Sequence, residues 1–293
     1  MGKKKKIILF PNIVNDVGFN MTQQVGDLLN IGGWQTVICP AFIDENTEIL
    51  PPSGYTFSEL TSELTTAEMI ITFGGDGTIL RAARAAADTG VPILGINMGG
   101  KGFIAELEAG DIGLIKSVAD GDYKVENRLM IDVEVWRDGA IICRDYALND
   151  AVIKGDNKVI DMTIYSNDQK ITRFSGDGTV LATPTGSTAY SMSAGGPIVE
   201  PTAKNIIITP ICAHVLEAKS FVLTAGRVVT VNIEHKKNIP AYISVDGGDH
   251  VSIQSGDTIK VYRSERYTQL VRLSDRSFYY KITSKLVSRM RNQ

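Results

Sequence analysis

The stretch Met69-Ile70-Ile71-Thr72-Phe73-Gly74-Gly75-Asp76-Gly77-Thr78-Ile79-Leu80 combines an apolar run, a glycine-rich turn and the beginning of an alanine- and arginine-rich segment. A short apolar run that ends in glycine is typical of a buried strand. The residues from Thr78 to Asp88 have the composition of a helix, which Gly90 would end. The order strand, loop, helix predicts the α/β class with a parallel sheet covered on both faces.

The rest of the first third of the chain repeats this alternation. A helical spacing of apolar residues runs from Met21 to Asn30 and ends at Gly32-Gly33. Further strands are predicted at Ile7–Phe10, Thr36–Cys39 and Val91–Ile96.

The pattern changes to period two near residue 125. Ile131, Val133 and Val135 alternate with polar or amphipathic residues, and Asp138-Gly139 supplies a turn. Strand-like runs continue as far as Tyr262, which predicts an antiparallel β domain, a sandwich. The tail returns to helical spacing from Phe278. We therefore predict an α/β domain of residues 1–125 plus 273–293 and a β-sandwich domain of residues 126–272.

Composition excludes several classes of protein. The 293 residues are 43% hydrophobic and 22% charged, as in folded globular proteins, and the net charge of −3 argues against a nucleic-acid-binding protein. No apolar run is long enough to span a membrane and no signal peptide is visible, so we expect a cytoplasmic protein. The three cysteines and three histidines are scattered, so no metal ligand is predicted in the protein itself.

The glycine-rich loop has the features of a phosphate site. Glycines let backbone amides approach a phosphate, and the following helix N-terminus adds partial positive charge. Asp76 would repel phosphates unless a divalent cation lies between them or the carboxylate accepts a proton from an attacking hydroxyl. The alternative, which the loop alone leaves open, is a turn in which Asp-Gly only supplies geometry.

The chain has two further glycine-rich stretches. The run from Gly95 to Gly102 approaches a P-loop, but Gly102 stands where Ser or Thr would bind magnesium, and no G-x-G-x-x-G follows a strand. The most specific segment runs from Gly176 to Pro197. It concentrates hydroxyls, small residues and one tyrosine, a composition that can line a tight pocket for a polar, flat-ringed ligand, although a plain glycine-rich connection is the alternative.

These motifs, taken together and in order, resemble the NAD kinase family across nearly the whole chain. The first loop is shared with diacylglycerol, sphingosine and 6-phosphofructo-kinases, whereas the segment Thr183-Pro184-Thr185-Gly186-Ser187-Thr188-Ala189-Tyr190 is much more specific. The other segments that carry the resemblance are Leu148-Asn149-Asp150, Thr209-Pro210-Ile211-Cys212-Ala213-His214 and Ser244-Val245-Asp246-Gly247.

The resemblance implies a fold, a reaction and a set of roles. It implies an N-terminal Rossmann-like domain, a C-terminal β-sandwich, a C-terminal helix that returns to the first domain, and a homo-oligomer, a dimer or tetramer, with NAD contacts from more than one subunit. Asp76 would activate the adenosine 2′-hydroxyl of NAD, and ATP, another triphosphate or polyphosphate would be the donor, with Mg²⁺ or another divalent cation. The binding residues that it implies are Gly77, Arg81, Phe103, Asn149, Asp150, Asp177, Thr188, Ala189, Tyr190 and Ser193.

Four positions depart from the family pattern. Asp150 stands where Glu is common, Ser175 where many bacterial members carry Arg, Ala213 where a proline is usual, and Gly248 where a polar amide is common. They bear on affinity and donor choice more than on the type of reaction. Two rival functions are a lipid kinase, which shares the loop, and a dinucleotide sensor without turnover. The sequence does not determine the preferred donor, acceptance of NADH, feedback by NADP or NADPH, or subunit number.

Overall fold

The structure is a computed structural model that describes residues 5–41, 49–99, 102–214, 218–234, 239–273 and 278–291. The chain divides into two compact units, Met1–Asn127 with Thr268–Gln293 and Arg128–Tyr267. The domain boundaries proposed at residues 125 and 272 stay a prediction.

The first unit is built from alternating strands and helices. Its regular elements are β1 (Lys6–Pro11), α1 (Asn20–Ile31), β2 (Gln35–Ile38), α2 (Leu60–Glu63), β3 (Ala67–Gly74), α3 (Asp76–Ala86), β4 (Ile93–Asn97), β5 (Leu107–Glu108) and α4 (Ile115–Asp120), with 3₁₀ turns at Val17–Phe19 and Ala109–Leu114.

The strands of this unit form a parallel sheet in the order β2-β1-β3-β4, and β5 also pairs with β4. Apolar side chains cover both faces, as continuous apolar strands require. On one face Val25 of α1 and Val118 of α4 join the strand residues in one buried cluster. On the other face α3 packs so closely that a Cβ on Gly95 would lie 2.6 Å from Ile79 Cδ1. The predicted α/β class is confirmed.

The second unit consists mainly of strands. They are β6 (Lys124–Arg137, which begins in the first unit), β7 (Ala140–Ala147), β8 (Asp150–Gly155), β9 (Ile160–Ser166), β10 (Gln169–Gly176), β11 (Gly178–Ala182), β12 (Asn205–Ile211), β13 (Phe221–Thr224), β14 (Val229–Ile233), β15 (Ala241–Val245), β16 (Val251–Ile253) and β17 (Thr258–Arg272, which ends in the first unit). One short helix, α5 (Tyr190–Ser193), follows a 3₁₀ turn at Gly186–Thr188.

These strands form the predicted sandwich. One sheet has the order β10-β9-β14-β17, with β6 and β7 continuing from β17, and the other has the order β13-β12-β11-β8-β15-β16. Alternate residues of both sheets meet in one buried core, for example Val133 and Ile164 from the first sheet and Ile153 and Ile243 from the second. The period-two pattern thus places one apolar face of each sheet against the other.

The last helix, α6 (Phe278–Arg291), belongs to the first unit. Its Lys281 ammonium lies 3.0 Å from the carboxylate of Glu106, which also binds the Arg272 guanidinium at 3.0 Å and accepts the Leu273 N–H at 3.2 Å. The Glu106 side chain is 2% exposed, so these cations offset the cost of burying its charge. Within the described residues no helix is long and apolar enough to cross a membrane.

We expect Glu106→Gln to lower the free energy of unfolding by about 2–3 kcal/mol, because two partly buried cations lose their shared carboxylate. Urea unfolding followed by circular dichroism measures the loss. The matched control is Glu68→Gln on the exposed surface of the same unit, for which we expect a change within about 0.5 kcal/mol. Equal stability of the two variants would show that Glu106 does not hold this end of the chain.

Candidate active site

The glycine-rich loop connects β3 to α3. Gly75 is the N-cap of α3 in extended conformation, and Asp76 is the first helical residue. Both carboxylate oxygens of Asp76 are held by backbone donors of the segment after β4: the Phe103 N–H at 2.8 Å and the Ile104 N–H at 3.1 Å. Asp76 therefore lies at the carboxyl end of the parallel sheet, where such sheets bind ligands, with its orientation fixed by two hydrogen bonds.

The three glycines of the loop have different surroundings. A Cβ on Gly74 would lie 2.3 Å from Thr78 Oγ1 and 3.1 Å from Asn12 Cβ, so packing demands glycine there. A Cβ on Gly75 or Gly77 would meet nothing within 4 Å. The backbone at Gly75 and Gly77 is thus open to a ligand, as expected for amides that approach a phosphate.

Packing also explains why the run from Gly95 to Gly102 does not become a P-loop. A Cβ on Gly102 would lie 2.8 Å from Asp76 Oδ1, so Ser or Thr has no room at this position. Gly100 and Lys101 of that run lie outside the described residues.

Arg81 and Phe103 lie in the same unit as Asp76. Arg81 is exposed on α3, and Phe103 is half-buried. The Phe103 side chain was predicted as an apolar wall, whereas the contact that the structure gives to Asp76 comes from its backbone N–H. A main-chain donor leaves no signal in residue type, which is why sequence reasoning missed it.

In the second unit Asp246 organises the segment Leu148-Asn149-Asp150. Its carboxylate accepts three consecutive backbone N–H groups, from Leu148 at 2.8 Å, Asn149 at 2.8 Å and Asp150 at 3.0 Å. Asp246 has a positive φ of 48° and its own N–H donates to the Asp150 carbonyl at 2.9 Å. The motif Ser244-Val245-Asp246-Gly247 contributed to the resemblance, but no role was predicted for Asp246.

Asp150 lies beside this charged carboxylate and is 5% exposed. Burial, and secondly the charge of Asp246, raise the pKa of the Asp150 carboxyl from 3.8 to about 7. With a pKa of about 7, the Asp150 carboxyl is partly protonated near neutral pH. A carboxylic acid kept neutral in this way can donate a hydrogen bond.

Asn149 is held against the specific segment of residues 183–190. The Asn149 carbonyl accepts the Thr183 N–H at 2.8 Å, and a Cβ on Gly186 would lie 2.1 Å from the same oxygen. The Asn149 Oδ1 is buried and finds no hydrogen-bond partner among the described residues. A ligand donor is the natural partner for such an oxygen, because buried polar atoms are almost always paired.

Several hydroxyls of the stretch from Gly176 to Pro197 serve the fold. Those of Thr183, Ser187 and Ser191 are completely buried and bound within the protein. Thr183 donates to the Leu148 carbonyl at 2.5 Å, Ser187 to the Pro184 carbonyl at 2.7 Å, and Ser191 shares a 2.9 Å hydrogen bond with Thr209. These hydrogen bonds fix the conformation of the loop, and more accessible residues follow it in the segment.

The remaining predicted residues of the segment differ in exposure. Thr188 is buried and its hydroxyl donates to the Thr185 carbonyl at 3.2 Å, whereas Ala189 is half-buried, Tyr190 is 38% exposed and Ser193 is exposed.

Asp177 is the exception. It precedes β11, whereas Asp150 pairs with Ala182 at the other end of that strand. Five residues of strand separate the two by roughly 17 Å. One copy of the chain therefore does not bring Asp177 to the Asn149-Asp150 segment.

Within the described ranges, no three His, Cys, Asp or Glu side chains are grouped so as to hold a metal ion. Cys143 is half-buried, Cys39 is buried and Cys212 is exposed.

The first unit has the α/β fold with a Gly-Gly-Asp-Gly-Thr loop, and the second is a β-sandwich that carries the 183–190 segment. These features are those of a two-domain phosphotransferase. The family model described as the ATP-NAD kinase N-terminal domain matches residues 45–123, and the model for the C-terminal domain matches residues 148–273. The chain belongs to the ATP-NAD kinase family.

Relatives and solved structures agree with this assignment. The chain is 33% identical to the NAD kinase of Ruminiclostridium cellulolyticum, with 97% of this chain and 99% of the relative covered. It is 35% identical to the NAD kinase of Acetivibrio thermocellus, with 97% and 98% covered. A yeast NADH kinase structure, complexed with NADH, has the same fold with a TM-score of 0.83 at 22% identity, covering 98% of this chain and 88% of the other. An Archaeoglobus fulgidus NAD kinase in complex with ATP gives a TM-score of 0.71 at 24% identity, covering 97% and 99%.

We expect Asp150→Asn to stabilise the protein at high pH relative to the wild type. Because the folded-state pKa of Asp150 is raised, its stabilising contribution is complete below pH 3.8 and is lost as the pH rises to about 7. At about 1.4 kcal/mol per pKa unit, the advantage of the neutral asparagine grows across that window to at most roughly 4 kcal/mol.

Urea unfolding of both proteins from pH 5 to pH 8 measures this advantage. The matched control is Asp145→Asn, an aspartate at the half-buried end of β7. A stability difference between Asp150→Asn and the wild type that does not change with pH would mean that the Asp150 carboxyl titrates in its ordinary range.

Proposed function

We propose that this protein transfers the terminal phosphoryl group of ATP to the 2′-hydroxyl of the adenosine ribose of NAD, giving NADP and ADP. The 2′-oxygen forms a bond to the γ-phosphorus, and the bond from that phosphorus to the β–γ bridging oxygen breaks. The observation that carries the proposal is Asp76, oriented by two backbone N–H groups at the start of α3.

Asp76 is the proposed proton acceptor. A carboxylate at this position needs no further positioning to receive the hydroxyl proton as the new bond forms, because its two oxygens are already fixed. Gly77 and Arg81 are proposed to lie near the phosphates of the donor, with the open backbone at Gly77 and the first turn of α3 favouring negative charge.

The proposed dinucleotide site uses the second unit. Asn149 presents a buried oxygen without a partner, and Asp150 presents a carboxyl with a pKa of about 7, so the pair offers an acceptor and a donor to a ribose or a base. Thr188, Ala189, Tyr190 and Ser193 of the same unit are proposed to complete the pocket, and Phe103, in the other unit, stays a predicted NAD- or nucleotide-binding residue. Asp177 is proposed to contact a part of the dinucleotide distant from Asp150, because the length of β11 separates the two residues.

A divalent cation, Mg²⁺ in the first place, is proposed to accompany the donor. The described residues contain no group of three metal-binding side chains, so such an ion would be held mainly by phosphate oxygens of the donor, because Mg²⁺ often uses few protein ligands. The bound ion would neutralise charge on the phosphates. A cytoplasmic location and a dimer or tetramer remain predictions.

The rival functions give different assay results. A lipid kinase is not favoured by the family assignment, and it would phosphorylate diacylglycerol instead of NAD. A dinucleotide sensor would bind NAD without consuming ATP. Incubation with NAD, ATP and Mg²⁺, followed by an NADP-specific dehydrogenase, identifies an NAD kinase. Binding of NAD without formation of NADP would indicate the sensor, and neither binding nor NADP would favour the lipid kinase.

We expect Asp76→Asn to keep NAD binding and to lose turnover by roughly 100-fold or more, because an amide cannot accept the proton. The coupled NADP assay gives turnover, and calorimetry gives the affinity for NAD. Asp88→Asn, just beyond the same helix, is the matched control and should retain full activity. Near-normal turnover of Asp76→Asn would remove Asp76 from the role of base.

A further inference from the structure

The segment Phe103-Ile104-Ala105-Glu106 lies between β4 and β5 and has no regular secondary structure. Its last three residues are nevertheless buried. Buried backbone groups outside helices and strands need other partners, because water does not reach them. The partners of this segment therefore determine the direction of its N–H groups.

Asp76 accepts two of these N–H groups. The Phe103 N–H donates to one carboxylate oxygen at 2.8 Å, and the Ile104 N–H donates to the other at 3.1 Å. Because a carboxylate rotates about a single bond, two donors in fixed positions determine its orientation. The position of the segment thus sets the orientation of the proposed proton acceptor.

Cations near the end of the chain hold the same segment from its carbonyl side. Arg272, the last residue of β17, donates to the Ile104 carbonyl at 3.3 Å, and Lys281 of α6 donates to the Ala105 carbonyl at 3.0 Å. Both cations also bind the Glu106 carboxylate, each at 3.0 Å. Ile104 therefore binds the catalytic carboxylate through its N–H and a C-terminal cation through its carbonyl.

Two further contacts connect this segment to the sheet and to the residues before α6. The Glu106 N–H donates to the Gly95 carbonyl of β4 at 3.0 Å, and β4 pairs with β3, which leads into the glycine-rich loop. The Leu273 N–H donates to the Glu106 carboxylate at 3.2 Å. Ile282, next to Lys281 in α6, is buried. The Lys281 ammonium is thus attached to a packed helix and held against a buried segment.

We infer that Lys281 is a positioning residue for phosphoryl transfer, because it holds the segment whose N–H groups orient Asp76. The inference rests on the proposed function, since it concerns the alignment of the proposed proton acceptor. Lys281 is a cleaner probe than Arg272, because the Arg272 guanidinium also lies 3.6 Å from the Glu126 carboxylate.

Loss of the Lys281 ammonium should lower turnover and leave substrate binding unchanged. A misplacement of about 1 Å caused by a distant substitution can lower a rate by about 100-fold. We expect Lys281→Met, which keeps an unbranched apolar side chain, to lower kcat about ten-fold with the KM for NAD and the KM for ATP unchanged. Lys281→Arg, which keeps a cation, should recover at least about half of the wild-type kcat. The coupled NADP assay measures these constants.

A double variant separates positioning from general damage to the protein. If Lys281 acts through Asp76, adding Lys281→Met to Asp76→Asn should lower the residual turnover by less than about two-fold, because the carboxylate that it aligns is already absent. The matched control is Lys116→Met, at an exposed position of α4 in the same unit, which should keep the wild-type kcat.

Amide hydrogen exchange tests the alignment without turnover. We expect Lys281→Met to speed exchange of the Phe103 and Ile104 N–H groups about ten-fold, because the segment opens more often when one of its cations is lost. Exchange in β3 should stay at the wild-type rate, which would verify that the unit remains folded.

Four results would overturn the inference: an unchanged kcat in Lys281→Met, a higher KM at constant kcat, a full ten-fold effect in the Asp76→Asn background, or unchanged exchange of the two N–H groups. Failure of the proposed function is a separate outcome. A wild type that makes no NADP can still be compared with Lys281→Met by hydrogen exchange, which then decides whether Lys281 aligns the groups that hold Asp76.

Discussion

Carboxylates that accept neighbouring backbone N–H groups hold the loops of both units. Asp76 binds the N–H groups of Phe103 and Ile104, and Asp246 binds those of residues 148 to 150. Asp16 does the same before α1, where it accepts the N–H groups of Met21 and Thr22. Each charge satisfies donors that would otherwise be unpaired, and each donor offsets the desolvation of the charge.

Close backbone contact is the second constraint, and it explains why the most specific segment has its composition. Gly186 lies over the Asn149 carbonyl, and a Cβ on Gly178 would lie 2.0 Å from the Ile153 carbonyl. The Thr183 hydroxyl donates to the Leu148 carbonyl, and the Ser187 hydroxyl donates to the Pro184 carbonyl. Small residues and hydroxyls therefore hold the buried start of the segment against residues 148 and 149, so a motif can be specific to a family through packing as much as through ligand contacts.

The distance along the chain between interacting residues determines what the sequence could predict. The architecture followed from local patterns, since the apolar runs, the period-two segments and the turn at Asp138-Gly139 each reflect interactions between near neighbours. The orientation of Asp76 did not, because it depends on main-chain donors 27 and 28 residues away. Asp246 acts across 96 to 98 residues, and the separation of Asp177 from Asp150 depends on the pairing of β8 with β11. Roles that depend on contacts between residues far apart in the chain can be recognised only when the fold is known.

The paired carboxylates of the second unit also bear on how an acidic chain can receive an anionic dinucleotide. The protein has a net charge of −3, and the buried Asp150 lies beside the half-buried Asp246, whose carboxylate accepts the Asp150 N–H at 3.0 Å. If both were ionised there, the segment would repel the diphosphate of NAD and would itself be costly to bury. Because burial and the neighbouring Asp246 raise the pKa of Asp150 to about 7, part of the negative charge of the Asp150 carboxyl is neutralised near neutral pH. Burial of the Asp150 carboxyl is the larger cause of this shift and the charge of Asp246 is the smaller one, so the position of one side chain in the fold sets the charge of the pair.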